Sequence, residues 1–198
     1  VDFIGNFVNG LKSYLTSSDG ETIESPEFFK TNIQKIKKAN KQLSSKKKGS
    51  NNRKKALKNL QRLHINISNK RNDFEWKLAH HLCKNNSFIA IEDLDIASMK
   101  KIWGGKVSDL SFSSFVDKLE QIALKYNTIV QKVGRYYASS KTCSCGVVNK
   151  ELKLSDREWA CQSCGQVHDR DVLASNNILT EGIRLYRTKS KTNSELAF

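Results

Sequence analysis

Between Thr31 and Arg71 the chain carries 14 Lys or Arg and no Asp or Glu. A stretch this cationic cannot be buried, so its charges must face water or a polyanion, and the core must be assembled from the segments around it. It also matches the whole formal excess, +14 over 198 residues. A stripe of this kind is the electrostatic footprint of a phosphate-backbone partner, and the total absence of acids argues against an ordinary solvated face. From Arg53 to Leu82, Leu60, Ile67 and Phe74 recur every seven residues, with Leu63, Leu78 and Leu82 nearby. That spacing predicts an amphipathic helix with its basic residues outside the apolar stripe. Two helices are predicted, about Phe28 to Ser44 and Arg53 to Leu82, joined by the cationic turn "SSKKKGSNNRKK". The pair reads as a basic helical hairpin over about 28–82, with Lys46, Lys47, Lys48, Arg53, Lys54 and Lys55 as its nucleic-acid contacts.

Around the hairpin, strand-like and helix-like segments alternate. "GLKSYLTSSDGETIES" predicts a strand (Leu11 to Thr16), an Asp19-Gly20 turn and a second strand. "SFIAIEDL" reads as a short buried strand and "TIVQKVG" as another. "SFSSFVDKLEQIALKYN" begins with serine caps and places Phe115, Leu119, Ile122 and Tyr126 at helical spacing. "DVLASNNILTEGI" predicts a last helix ending near Gly182, with a loose polar tail from Arg187. This alternation argues for an α/β or α+β layered fold. No run approaches the roughly 20 apolar residues of a membrane span, and no signal peptide opens the chain. The first residue is Val1 rather than Met, as in a fragment of a longer protein.

Four of the five cysteines are bunched. Cys161 and Cys164 form C-x2-C before Gly165; Cys143 and Cys145 form the tighter C-x-C before Gly146. Four thiolates suit a closed, structural, tetrahedral zinc site, the alternative being four unrelated buried cysteines. Such usage places the chain in a reducing compartment, the cytoplasm. Cys83 reads as core packing.

Three acids stand where a divalent ion would be useful. Glu92 ends the apolar run Phe88-Ile89-Ala90-Ile91, where an unpaired carboxylate is costly unless a cation relieves it or the strand end faces water. Asp171 opens the last helix, where it serves as a cap or as a metal ligand. Asp2 precedes the first hairpin. Together they would fit a two-Mg²⁺ (or Mn²⁺) phosphodiester hydrolase.

The motifs "GLKSYLTSSDG", "KKKGSNNRKK", "IAIEDL", "SSKTCSCG", "ELKLSDREWACQSCG" and "HDRDVLASNNIL" resemble the C-terminal nuclease half of the TnpB (OrfB) proteins of bacterial insertion sequences, relatives of the type V CRISPR effectors. The resemblance runs from about Leu11 to Ile183. It implies an α/β fold: an RNase H-like (RuvC-like) mixed sheet with flanking helices, a basic helical hairpin insertion and an inserted zinc ribbon. The corresponding division is a nuclease domain over 1–138, a ribbon over 139–167, and a last helix with tail over 168–198. It further implies RNA-guided, Mg²⁺-dependent cutting of DNA, with DNA and a guide RNA as partners. Glu92 in "IAIEDL" and Asp171 in "HDRD" match two of the family's three catalytic acids.

The third should stand in a "DxG" on the first strand, shortly before "LKS". Aligned without a gap on Gly10-Leu11-Lys12-Ser13, that position holds Val8, and the site would be dead. Alternatively Asp2-Phe3 is the motif and "IGNFVN" is a six-residue insertion in the turn, the placement favoured here. The C-x-C knuckle is a residue short of the family's C-x2-C, and Leu173 replaces a common Asn. In the family the ribbon helps hold nucleic acid beside the active site. Lys150, Lys153 and Trp159 are then plausible strand contacts, Trp159 equally well packing beneath the ribbon. Two classes stay open: a metal-dependent DNA endonuclease, or a nuclease-dead nucleic-acid-binding remnant or repressor.

Overall fold

The computed structural model describes residues 4–9, 13–153 and 155–195. In chain order the elements are β1 (Ile4–Asn9), β2 (Ser13–Ser17), β3 (Thr22–Glu24), α1 (Phe28–Ser44), α2 (Asn51–Asn85) and β4 (Phe88–Glu92). Then follow α3 (Ile96–Leu110), α4 (Phe112–Tyr126), β5 (Ile129–Val133), β6 (Glu158–Ala160), β7 (Val167–Asp169) and α5 (Arg170–Glu195). The first five strands form one sheet in the order β3-β2-β1-β4-β5, and β6 and β7 form a separate ribbon. β1 is antiparallel to β2 and parallel to β4, which is parallel to β5.

An apolar run with no polar alternation has to be covered on both faces, and β4 is. Ile89 and Ile91 join a core with Leu78, Ala79 and Leu82 of α2 and Phe112, Phe115 and Leu119 of α4. Phe88 and Ala90 join a second core with Val133 of β5 and Ile178 of α5. The sheet is therefore sandwiched between α2 with α4 on one side and α5 on the other.

The root of the hairpin is pinned by charge. Asp109, near the end of α3, accepts hydrogen bonds from the backbone N–H groups of Phe29 and Lys30 at 2.9–3.3 Å, capping the start of α1 from a distance. The same carboxylate pairs with Arg71 of α2 at 2.8 Å. Deeper in, the fully buried Glu75 of α2 is held by Lys118 of α4, which also donates to Asn72 and Ser114. A buried pair of this kind adds little net stability but is costly to break.

Several sequence expectations are corrected. "IGNFVN" is not a turn insertion but the whole of β1, a strand paired on both sides. α3 has no counterpart in the predicted elements. Ser111 precedes α4 with a left-handed backbone (φ 53°) and makes no side-chain cap bond. The last helix does not stop near Gly182; it continues to Glu195 through the segment expected to be a loose tail. Gly182 is there for proximity rather than termination. A Cβ built on it would lie 2.7 Å from the Cβ of Ala90, so α5 crosses β4 where neither side can yield.

Gly182→Ala is accordingly expected to destabilise the protein by about 1–3 kcal/mol from overpacking, partly offset by the better helix propensity of Ala. The thermal midpoint should fall, and an unchanged or higher one would count against this crossing.

Candidate metal and nucleic-acid sites

The cysteine cluster is made by two tight turns brought face to face. Gly146 (φ 89°) and Gly165 (φ 74°) occupy the left-handed conformation that each turn requires. Their N–H groups donate to the carbonyls of Cys143 and Cys161. The Sγ atoms of Cys143, Cys145, Cys161 and Cys164 all lie within 4.8 Å of one another. Cys143 and Cys164 are 3.6 Å apart, Cys145 and Cys161 3.7 Å. A tetrahedral shell with Zn–S bonds of about 2.3 Å separates its sulfurs by about 3.8 Å, so the geometry suits zinc despite the short C-x-C knuckle. N–H groups of Cys164 and Ser163 aimed at Cys161 lower its thiol to about 6, whereas the neighbouring thiols raise Cys145 and Cys164.

Beneath the cluster Trp159, Leu152 and Leu173 pack with Cys143 and Cys161. Trp159 is therefore buried beneath the ribbon rather than displayed to a nucleic-acid strand, whereas Lys150 and Lys153 are exposed. Leu173, in α5, has an apolar role, anchoring the last helix to the ribbon. His168 stacks against Trp159 at 4.9 Å and lies 3.1 Å from Cys143 Sγ, within hydrogen-bond reach.

Glu92 stands at the C-terminal end of β4, beside a cleft of about 150 Å³ lined by Asp93, Leu94, Phe112, Asp117 and Lys132. Of its acidic neighbours, Asp93 pairs with Arg135 at 2.9 Å and Asp95 lies 3.8 Å from the same guanidinium. Glu92 itself has no hydrogen-bond or ion-pair partner among the described residues. Burial, and secondarily the charge of Asp93, push its carboxyl above the usual glutamate range.

Asp171 lies in the first turn of α5. The capping role it was weighed for belongs to Asp169, whose Oδ1 accepts from the N–H groups of Asp171 and Val172, each at 2.9 Å. The Asp171 carboxylate is left to Arg157, 3.2 Å away across the ribbon. Asp2 lies outside the described residues. Among the described residues the four cysteines are the only group of three or more close-set metal-ligating side chains. Glu92 and Asp171 are not part of such a group among the described residues.

On the hairpin, Lys46, Lys47, Lys48, Lys54 and Lys55 are exposed. Arg53 differs: its guanidinium folds back to donate to the carbonyls of Leu43 and Lys46, clasping the end of α1. Ser50 caps α2 by accepting from the Arg53 N–H. Sequence reasoning grouped Arg53 with the contact lysines because nothing in the local pattern shows a side chain turning back ten residues.

Two family models divide the chain. The model described as "Probable transposase" (OrfB_IS605) matches residues 9–103, and the "Cas12f1-like, TNB domain" matches residues 112–178. The chain belongs to the TnpB (OrfB) family. Among its relatives, a Streptomyces pristinaespiralis protein named "Putative RNA-guided DNA endonuclease" is 38% identical over 197 residues, covering 92% of this chain and 48% of the relative. "Putative RNA-guided DNA endonuclease InsQ" of Escherichia coli (strain K12) is 33% identical, covering 87% of the chain and 47% of the relative. The chain thus spans about half the length of these TnpB-family relatives. Among solved structures, a CRISPR-Cas12f ternary complex aligns with a TM-score of 0.64 at 18% identity, over 90% of this chain and 40% of that one. A Cas12f1-sgRNA-target DNA complex aligns at 0.60 and 19%, over 88% and 49%. At this identity the likeness shows the fold, a mixed α/β architecture shared with Cas12f.

Because the Glu92 carboxyl is raised, the folded state holds its proton more tightly than the unfolded chain, and the group's contribution to stability falls as pH rises through its raised value. Glu92→Gln should raise the thermal midpoint at neutral pH. That gain should shrink as pH is lowered toward the ordinary value of 4.5. Parallel curves for the two proteins across this window would contradict the assignment.

Proposed function

We propose that this chain is the RuvC-like, nucleic-acid-engaging half of a transposon-encoded RNA-guided DNA endonuclease. The observation that carries the reading is the pairing of a lysine-tipped helical hairpin, free of acids from Thr31 to Arg71, with a four-cysteine ribbon on one mixed sheet. The five-stranded order, with two antiparallel pairings followed by two parallel ones and a helix layer on each face, supports the RuvC-like assignment. The printed names of the relatives, RNA-guided DNA endonucleases, support DNA as substrate and RNA as guide.

In this reading the hairpin supplies the phosphate clamp. Its exposed lysines concentrate a backbone against the body through charge alone, without reading sequence. Asp109, Arg71 and the buried Glu75–Lys118 pair hold the clamp at a set angle to the sheet. The ribbon, closed by Cys143, Cys145, Cys161 and Cys164 around zinc, is structural and performs no chemistry. It sets Lys153, whose carbonyl accepts from Arg170, near the start of α5, where Asp171 stands. Glu92 and Asp171 are the carboxylates of this half placed to meet a divalent ion.

Two measurements test this. Binding of DNA and RNA should weaken steeply with salt. Replacing Lys46, Lys47 and Lys48 together by Ala should flatten the slope of log K against log salt by up to about 0.9 per lost duplex contact, or about 0.7 for single strands. A slope unchanged by the triple substitution would remove the hairpin from the interface. Native mass spectrometry should find zinc bound at one ion per chain, and Cys145→Ser should release it about tenfold or more readily to a chelator. Equal retention in both proteins would refute the four-cysteine site.

A further inference from the structure

We infer that the divalent-metal site of this chain is one carboxylate short, because the place on β1 level with Glu92 is Val8, and that the chain engages nucleic acid without hydrolysing it. The inference rests on the reading of the chain as a nuclease half.

The ladder between β1 and β4 decides the register. Ile4 pairs with Phe88, Gly5 with Ile89, Asn6 with Ala90 and Phe7 with Ile91. One residue beyond the last pair, on the two strands respectively, come Val8 and Glu92. The other side of β1 agrees, since Val8 is paired with Thr16 in unbroken antiparallel register. Ile4, where β1 begins, lies opposite Phe88, at the end of β4 away from Glu92. It is therefore Val8 that the strand carries to the level of Glu92. A register shift of one residue would turn every side chain of the strand to the other face, and β1 is held against it from both neighbours.

The consequence is chemical. Divalent ions of the Mg²⁺ and Mn²⁺ kind need several oxygen ligands in a fixed geometry, and a pair of ions needs carboxylates shared between them. A valine offers none. The described residues give Glu92, unpaired, and Asp171, already engaged by Arg157 at 3.2 Å. Neither belongs to a group of three close-set ligands. The hairpin and the ribbon do not depend on this site, so binding of a polyanion is retained. Adjacent strands lie about 4.8 Å apart, so a carboxylate introduced at residue 8 would stand one strand spacing from Glu92 and restore the missing ligand.

The test titrates Mn²⁺ into the zinc-loaded protein, by calorimetry and by electron paramagnetic resonance, for wild type, Asp2→Ala, Val8→Asp and Val8→Asp combined with Glu92→Gln. Thermal unfolding confirms that each variant is folded. Wild type and Asp2→Ala are expected to give coincident, weak isotherms. Val8→Asp is expected to bind Mn²⁺ about tenfold or more tightly, and the added Glu92→Gln to remove that gain. Tight wild-type binding that Asp2→Ala weakens by about tenfold or more would overturn the inference. So would a folded Val8→Asp that gains nothing. If Val8→Asp does not fold, the wild-type and Asp2→Ala isotherms decide alone, coincidence upholding the inference and divergence overturning it. Salt-dependent binding of DNA and RNA to the wild type is measured in parallel. Its absence would count against the functional reading and leave the metal comparison standing.

Discussion

The contact on which the architecture turns is the crossing of α5 over β4 at Gly182 and Ala90. A strand that is apolar on both faces demands two cover layers, and the second can approach only where one partner lacks a Cβ. Once α5 is seated there, its N-terminal end is carried to the ribbon, where Leu173 enters the apolar cluster under the cysteines and Asn177 donates to the carbonyls of Ser139 and Thr142. Asp171 is positioned by the same helix. The sheet, the last helix, the ribbon and one of the two candidate carboxylates thus share a single steric origin.

The opposite face is organised by charge as much as by packing. α2 is long enough to leave the core, so the half nearer β4 buries one face, with Leu78, Ala79, Leu82 and Cys83, while the other half is largely exposed and basic. Where the two regimes meet, Arg71, Asp109, Glu75 and Lys118 tie α1, α2, α3 and α4 together. Desolvated pairs of this kind set orientation better than they add stability. The hairpin needs that orientation imposed on it, since its own cations repel one another.

Much of this was legible in the chain itself. The hairpin helices, the buried strand FIAIE, the helix from Phe112 and the four-cysteine cluster follow from periodicity, apolar run length and ligand spacing, because each is decided by neighbours close in sequence. The failures share one cause. Gly182 read as a stop and proved to be a crossing point. Arg53 read as a surface contact and also clasps the end of α1. Asp171 was weighed as a cap, and Asp169 holds that role. In each case the residue type has two uses, and the partner that selects one of them lies across a turn or across the sheet.

What the sequence by itself determined is a set of locally decided properties: a basic arm without acids, a thiolate quartet, a strand requiring cover on both faces, and membership of a transposon-encoded family. What only the tertiary structure decided is which residues stand level with one another. "IGNFVN" contains no signal that separates a strand from an inserted turn, since its apolar residues alternate too weakly to declare a face. Hydrogen bonding to β2 on one side and β4 on the other makes it a strand, and strand pairing has a register. That register, a property of three chain segments together, sets Val8 one step beyond the Phe7–Ile91 pair, at the level of Glu92.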